Sequence, residues 1–153
     1  MQAYGVVRQT LDVDCVAAEQ GSLILARALK ESGYEVCEQT TVFVRYRHDS
    51  PWLMDVDVLL VDASTYEGLL LDSRPWRAGT STWRVPSLSH LVAMKLHAIR
   101  QNPARLGRDL ADIISLLQQN PDVVSRGELL ALCERFGPPG IGEKIVELVP
   151  WNR

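Results

Sequence analysis

No apolar run in this 153-residue chain approaches the roughly 20 residues needed to span a bilayer. The N-terminus lacks the basic, apolar and small-residue order of a secretory leader, so the expectation is a cytoplasmic protein with no membrane partner. Cysteine is scarce. Cys15, Cys37 and Cys133 lie far apart with no Cys-x-x-Cys pair, which argues against a disulfide framework and for reduced thiols in apolar surroundings. The three histidines are His48, His90 and His97, and the last two stand seven apart on one predicted helix, not at the i,i+4 spacing of zinc ligands. There is no polybasic run, and the net charge of −3 argues against a wholly electrostatic nucleic-acid binder. A Walker-type loop and a Gly-x-Ser-x-Gly elbow are both absent, which removes the P-loop nucleotidases and the serine hydrolases. No internal repeat or low-complexity tract is present.

What the chain does have is an ordinary soluble composition, 46% hydrophobic and 23% charged, with length enough for one domain or a small domain with a helical appendage. Its organising stretch is Gly5–Ala17. Read as a strand, this puts Leu11, Val13, Cys15 and Ala17 on one face and Asp12, Asp14 and Val16 on the other. Two carboxylates on an otherwise apolar strand are costly to bury unless a cation offsets them, and oxygen-only ligands suit magnesium or manganese. A strand end with both acids in solvent is the alternative at this point. Trp52–Asp62 repeats the pattern, with Leu53, Asp55, Asp57, Leu59 and Val61 on one face and Met54, Val56, Val58 and Leu60 on the other.

Between these, Leu23–Ser32 reads as an amphipathic helix on Leu23, Ile24, Ala26, Leu29 and Lys30, stopped by Gly33. Tyr34–Cys37 and Thr41–Arg47 read as strands, the second with Phe43, Arg45 and Arg47 on one side. Ser64–Leu71 reads as a short helix and Thr82–Val85 as strand-like. Helices are then predicted over Leu88–Arg100, Ala104–Gln119, Arg126–Phe136 and Ile141–Leu148, divided by Pro103, Asn120-Pro121 and Gly137-Pro138-Pro139-Gly140. The predicted fold class is α+β: a mixed α/β core over residues 1–85, then a helical region over 86–153. Trp52, Trp76, Trp83 and Trp151 read as packing or edge residues, and Arg74, Arg77 and Arg84 as a solvated surface or a small basic rim for an RNA acceptor.

On the first long helix, Lys95 falls inside the apolar stripe of Leu88, Leu91, Val92, Ala98 and Ile99. A lysine there either snorkels out or meets a carboxylate. Asp109 and Asp112 on the next helix are its candidate partners. The local alternative pairs Arg105 with Asp109 and Arg108 with Asp112, each worth only about 0.3–0.5 kcal/mol on an exposed face.

The run Gly5-x-x-Arg8-x-Thr10-x-Asp12-Val13-Asp14 resembles the Gly-x-x-Arg-x-Thr-x-Asp-h-Asp segment (h apolar) of the DNA polymerase β-like nucleotidyltransferase superfamily. It is most similar to the minimal, toxin-related branch that includes the AbiEii-type abortive-infection toxins. Val56-Asp57-Val58-Leu59-Leu60 resembles the next acidic strand of that group. Val85-Pro86-Ser87-Leu88 with Leu91-Val92-Ala93-Met94-Lys95-Leu96, then Arg108-Asp109-Leu110-Ala111-Asp112-Ile113, resembles its helical signature, so the likeness runs over residues 5–118 in order.

The resemblance implies transfer of a nucleoside monophosphate from a nucleoside triphosphate to a hydroxyl on RNA or protein, with magnesium or manganese as cofactor. Asp12, Asp14 and Asp57 would hold the metal, with Asp55 the rival for the third place. Asp57 would also help activate the attacking hydroxyl. Lys95, with Asp109 or Asp112, would line the far wall of the nucleotide cleft, and Arg8 and Thr10 would contact phosphate or shape the strand entry. The cellular role implied is the toxin of a toxin–antitoxin or phage-defence pair, with an antitoxin protein as partner. Active members carry a Gly-Gly or Gly-Ser phosphate loop several residues before the Gly5 position. This sequence begins at Met1 inside that segment, so the loop is expected to be missing. That departure favours a second expectation, a non-catalytic nucleotidyltransferase-like domain binding a partner protein or nucleotide. A metal-dependent nuclease on the same acids is the third.

Overall fold

The structure, a computed structural model, describes residues 1–7, 10 and 12–151. Arg8, named above as a phosphate contact, and Leu11 lie outside the described residues. The chain forms two compact units: Gln9–Leu71, and Asp72–Arg153 together with Met1–Arg8.

The first unit is built on a four-stranded mixed sheet. Strand β1 (Asp12–Ala18) leads through a short 3-10 turn into helix α1 (Ser22–Glu31). Strands β2 (Tyr34–Gln39), β3 (Phe43–His48) and β4 (Asp55–Val61) follow, then helix α2 (Ala63–Leu71). The order across the sheet is β1-β4-β3-β2, with β1 parallel to β4 and the other pairs antiparallel. Strand alternation sorts the faces. Val44, Tyr46 and Val58 are buried on one side, and Cys15, Ala17, Val56 and Leu60 pack with them beneath Leu25, Ala26 and Leu29 of α1. The helix is therefore turned differently from the sequence expectation: Leu23 and Ile24, in its first turn, are 81% and 77% exposed. The inward positions 25, 26 and 29 instead form a compact i, i+1, i+4 patch matched to the sheet.

Gly33, at φ +87°, ends α1, and a Cβ there would lie 2.7 Å from Nε2 of His48. Both the backbone and the space therefore demand glycine. His48 packs edge-on against Tyr34, ring centres 5.2 Å apart. Helix α2 is capped by Asp62, which accepts from the Thr65 amide and from the Ser64 and Thr65 hydroxyls.

The second unit contains a hairpin of β5 (Arg74–Ala78) and β6 (Ser81–Val85), turned at Gly79. Helices α3 (Leu88–Gln101), α4 (Leu106–Gln119), α5 (Arg126–Phe136) and α6 (Ile141–Leu148) follow. Its core joins Leu88, Val92, Leu96 and Ile99 of α3 to Ile113, Leu116 and Leu117 of α4, Leu129 of α5 and Ile145 of α6. Ser87 and Ser125 cap α3 and α5 by accepting from the amides three residues on.

The division of the chain differs from the expected boundary at 85/86. It falls between Leu71 and Asp72, and the N-terminal residues return to the helical unit. Tyr4 explains the return. It is buried at 5% exposure in the helical core, donates its hydroxyl to the Pro86 carbonyl at 2.8 Å, and accepts at its own carbonyl from Nδ2 of Asn120 at 2.9 Å. The Arg74 guanidinium lies 3.9 Å from the centre of the Tyr4 ring and donates to the Ala3 carbonyl, which ties β5 to the same unit. Gln2–Tyr4 is accordingly a 3-10 turn, residues 5–7 and 10 are not strand, and β1 is described over Asp12–Ala18, not from Gly5. Among the described residues no helix is long and apolar enough to cross a membrane.

Candidate functional site

The acid-bearing strands are neighbours. In the parallel register of β1 and β4, Asp12 lies opposite Asp55 and Asp14 opposite Asp57. Because Cys15 and Val58 face the core under α1, strand alternation sends all four aspartates to the other face of the sheet. A row of like charges across two strands is unfavourable unless countercharges stand beside it. Those come from β3, where Arg45 is the register partner of Asp57.

Arg45 grips Asp57 with both arms: Nε donates to Oδ1 at 2.7 Å and Nη2 to Oδ2 at 2.6 Å. Such fork-to-carboxylate pairs are the strongest side-chain hydrogen bonds. The Asp57 side chain is 8% exposed and that of Arg45 33%. The hydrogen bond to Asp57 is the main reason the Arg45 pKa lies above the ordinary arginine value. The third arm, Nη1, reaches Oε2 of Glu38 at 3.3 Å. One step along, Arg47 Nη2 meets Oδ2 of Asp55 at 3.0 Å, in a more open pair with Arg47 61% exposed. Across the sheet the charges thus run Asp14, Asp57, Arg45, Glu38.

Glu38 reaches this row through an irregularity. Val36 pairs with Tyr46, but the register shifts between Val36 and Glu38, so Glu38 rather than Cys37 stands opposite Arg45. The opposite face is apolar. Burial pushes the Cys15 thiol up, and the charges of Asp14 and Asp57 push it further, so this cysteine stays protonated and is no nucleophile.

The residues expected to hold a metal are therefore brought to one face of adjacent strands. Asp12, Asp14 and Asp57 offer only oxygen donors, the set that suits a hard divalent ion, and the guanidinium on Asp57 shows a cation already held at that carboxylate. As they stand, no three acidic, histidine or cysteine side chains among the described residues form a group that could hold a metal ion. Both oxygens of Asp57 are committed to Arg45. Asp55 shares the face and differs from Asp57 in being more exposed and held by Arg47. Thr10 lies outside regular structure just before β1.

Lys95, Asp109 and Asp112 form a separate cluster inside the helical unit. Lys95 Nζ donates to Oδ2 of Asp112 at 2.7 Å and to Oδ1 of Asp109 at 3.2 Å, and Arg105 Nε donates to Oδ2 of Asp109 at 2.7 Å. Asp109 is completely buried and Asp112 6% exposed; of the local alternative the Arg105–Asp109 i,i+4 pair does form, beside the Lys95 link and onto a buried carboxylate. Burial alone would raise the Asp109 pKa. The Arg105 hydrogen bond and the Lys95 charge outweigh it and hold the carboxyl below its ordinary range. The cluster ties α3 to α4, and its two acids account for a lysine within an apolar stripe.

Arg45, Arg47 and Glu38 were missed from the sequence as members of the acid face. A signal existed in the alternation Phe43, Arg45, Arg47, two cations on one side of a strand. Matching them to Asp57 and Asp55 needs the β3–β4 register, and matching Glu38 needs the bulge.

No protein-family model matches the sequence, and no curated protein matches it. Among solved structures the chain is similar to the crystal structure of an antigenic nucleotidyltransferase-like protein from Paracoccidioides brasiliensis, at 16% identity and a TM-score of 0.46, covering 94% of this chain and 77% of that one.

Proposed function

We propose that the sheet unit is the acid-bearing core of a nucleotidyltransferase that moves a nucleoside monophosphate from a nucleoside triphosphate to a hydroxyl on RNA or protein. The observation that supports this reading best is the register of β1 on β4, which sets Asp12 and Asp14 beside Asp55 and Asp57 on the face α1 leaves uncovered. The ordered motifs over residues 5–118 agree with it. Asp12, Asp14 and Asp57 would hold magnesium or manganese, whose charge would stabilise the attacking and leaving oxygens. The acceptor oxygen bonds to the α-phosphorus as the bond from that phosphorus to the β-phosphate bridging oxygen breaks. Pyrophosphate leaves with the bonding pair, and the hydroxyl proton passes to a carboxylate of this face.

The test is transfer of label from a mixture of labelled nucleoside triphosphates, with magnesium, to total RNA or protein. Asp12→Asn and Asp14→Asn should each abolish transfer while keeping the wild-type circular dichroism spectrum. Transfer that survives both would refute the reading. The toxin role is proposed with it: induced expression should arrest growth, and Asp12→Asn should relieve the arrest. The Arg45 fork on Asp57 favours a second reading, a non-catalytic domain of this type, for which nucleotide binds without transfer.

A further inference from the structure

From Ser73 to Val85 the chain carries three arginines, two tryptophans and no acid, against a net charge of −3 for the whole. Each strand of the hairpin bears the same dipeptide, Trp76-Arg77 on β5 and Trp83-Arg84 on β6. The antiparallel register sets Trp76 opposite Trp83, so both indoles stand on one face of the ribbon, together with Arg74 and Ser81. Arg77, opposite Thr82, and Arg84, opposite Pro75, stand on the other. At its base the indole face rests on the helical core through Val85, and Arg74 lies over Tyr4. Farther out, Trp83 is 57% exposed and Trp76 half-buried, and neither belongs to the apolar core. Among the described residues neither indole stacks on another ring or makes a hydrogen bond, so the pair is not a cross-strand aromatic lock.

The arginines decide what such a face suits. Arg84 donates Nε to the Ser73 hydroxyl at 2.8 Å and Nη2 to the Ser73 carbonyl at 2.9 Å, uncharged acceptors that fix the guanidinium without cancelling its charge. Arg77 is exposed and carries no ion pair among the described residues. An apolar protein surface laid on this ribbon would bury cations without partners. A nucleic-acid strand offers base faces to the indoles and phosphates to the guanidinium groups. A duplex hides its base faces, so the strand must be unpaired. The hydroxyl of Ser81, two residues from Trp83 on the same face, suits a ribose 2′-hydroxyl and so favours RNA.

We propose that the β5–β6 hairpin binds an unpaired RNA strand, with bases stacked on Trp76 and Trp83 and phosphates held by Arg77 and Arg84. The ribbon is two strands wide, about 5 Å between them, so arginine stems on its reverse reach a backbone running along its edge. The inference stands apart from the transfer chemistry. The hairpin belongs to the helical unit and the acid face to the sheet unit, and binding needs neither nucleotide nor metal.

The experiment is fluorescence anisotropy of an end-labelled oligouridine of about 12 nucleotides, titrated with the full chain in EDTA and about 50 mM salt. Trp83→Ala should weaken binding about 5- to 100-fold, the scale of one stacked base, and Trp83→Phe, which keeps a ring, should recover most of the loss. Arg77→Gln should weaken binding and flatten the slope of log affinity against log salt by about 0.7, one phosphate contact on a single strand. Trp52→Ala removes a 90%-exposed indole of the sheet unit and should leave binding unchanged. Oligodeoxyuridine and an RNA duplex of the same length should each bind at least about 3-fold more weakly.

Binding that persists undiminished in both Trp83→Ala and Arg77→Gln would overturn the assignment, as would an equal loss in Trp52→Ala. Equal binding of oligodeoxyuridine would overturn the choice of RNA. Absence of binding by the wild-type chain would overturn the site and leave the indoles to a protein partner. None of these outcomes decides the transfer reading, which the labelled-nucleotide assay tests by itself.

Discussion

Replacing Lys95 by methionine keeps the length of the stem but removes the ammonium from between Asp109 and Asp112. Asp109 is fully buried and retains one cation, Arg105, while Asp112, 6% exposed, loses its 2.7 Å partner. Breaking one side of a buried ion pair costs about 3–5 kcal/mol. The Lys95 side chain is 18% exposed and Arg105 stays, so the expected loss is at the lower end, about 3 kcal/mol. At about 2–4 °C per kcal/mol for a chain of this size, the melting temperature should fall about 6–12 °C. Urea unfolding of Lys95→Met, Asp112→Asn and the double variant provides the decisive cycle. The double variant should recover at least about 1 kcal/mol over the sum of the singles, because the two groups are in direct contact. Additive losses, or a melting shift under 2 °C, would refute a buried ion pair linking α3 to α4.

The Asp109 carboxyl, held below its ordinary value by Arg105 and Lys95 against the upward push of burial, contributes stability in full above about pH 4 and loses it as pH falls through the lowered folded value. Urea midpoints between pH 6 and pH 2.5 should therefore fall less steeply in Asp109→Asn than in wild type, and equal slopes would contradict this assignment. Gly33→Ala should destabilise by about 1–3 kcal/mol, because it puts a Cβ at positive φ and against the His48 ring; a neutral result in thermal melts would show that the turn relaxes. Burial pushes the Cys133 thiol up to about 11, with Glu143 adding to the shift, whereas Cys37 is exposed. Iodoacetamide at pH 8 should modify Cys37 first and Cys133 only on unfolding, as read by peptide mass spectrometry; early labelling of Cys133 would contradict its burial.

The strands with alternating acids were legible because one side of each had to be apolar. The period-two pattern of Asp12, Asp14 and of Asp55, Asp57 survives in the register of β1 on β4. Lys95 was legible for the opposite reason, a charge misplaced on an apolar helical stripe, which leaves few ways to be satisfied. Less could be read where long-range partners decide. Helix α1 exposes Leu23 and Ile24 because the sheet offers its apolar patch to positions 25, 26 and 29, which helix periodicity alone does not select. Tyr4 joins the helical core across 82 residues of sequence through Pro86, so residues 5–7 do not continue as strand. β5 was missed because Arg74-Pro75-Trp76-Arg77 lacks an apolar alternation, and pairing with β6 defines it. The countercharges Arg45 and Glu38 were hidden by a register and a bulge.

The most direct test of the nucleotidyltransferase reading follows the two ends of the triphosphate separately. With magnesium and an RNA or protein acceptor, label at the α-phosphate should become bound to acceptor and label at the γ-phosphate should leave as pyrophosphate, both lost in Asp14→Asn. Acceptor labelled from the γ-position, or α-label released as free nucleotide without any bound product, would contradict the account.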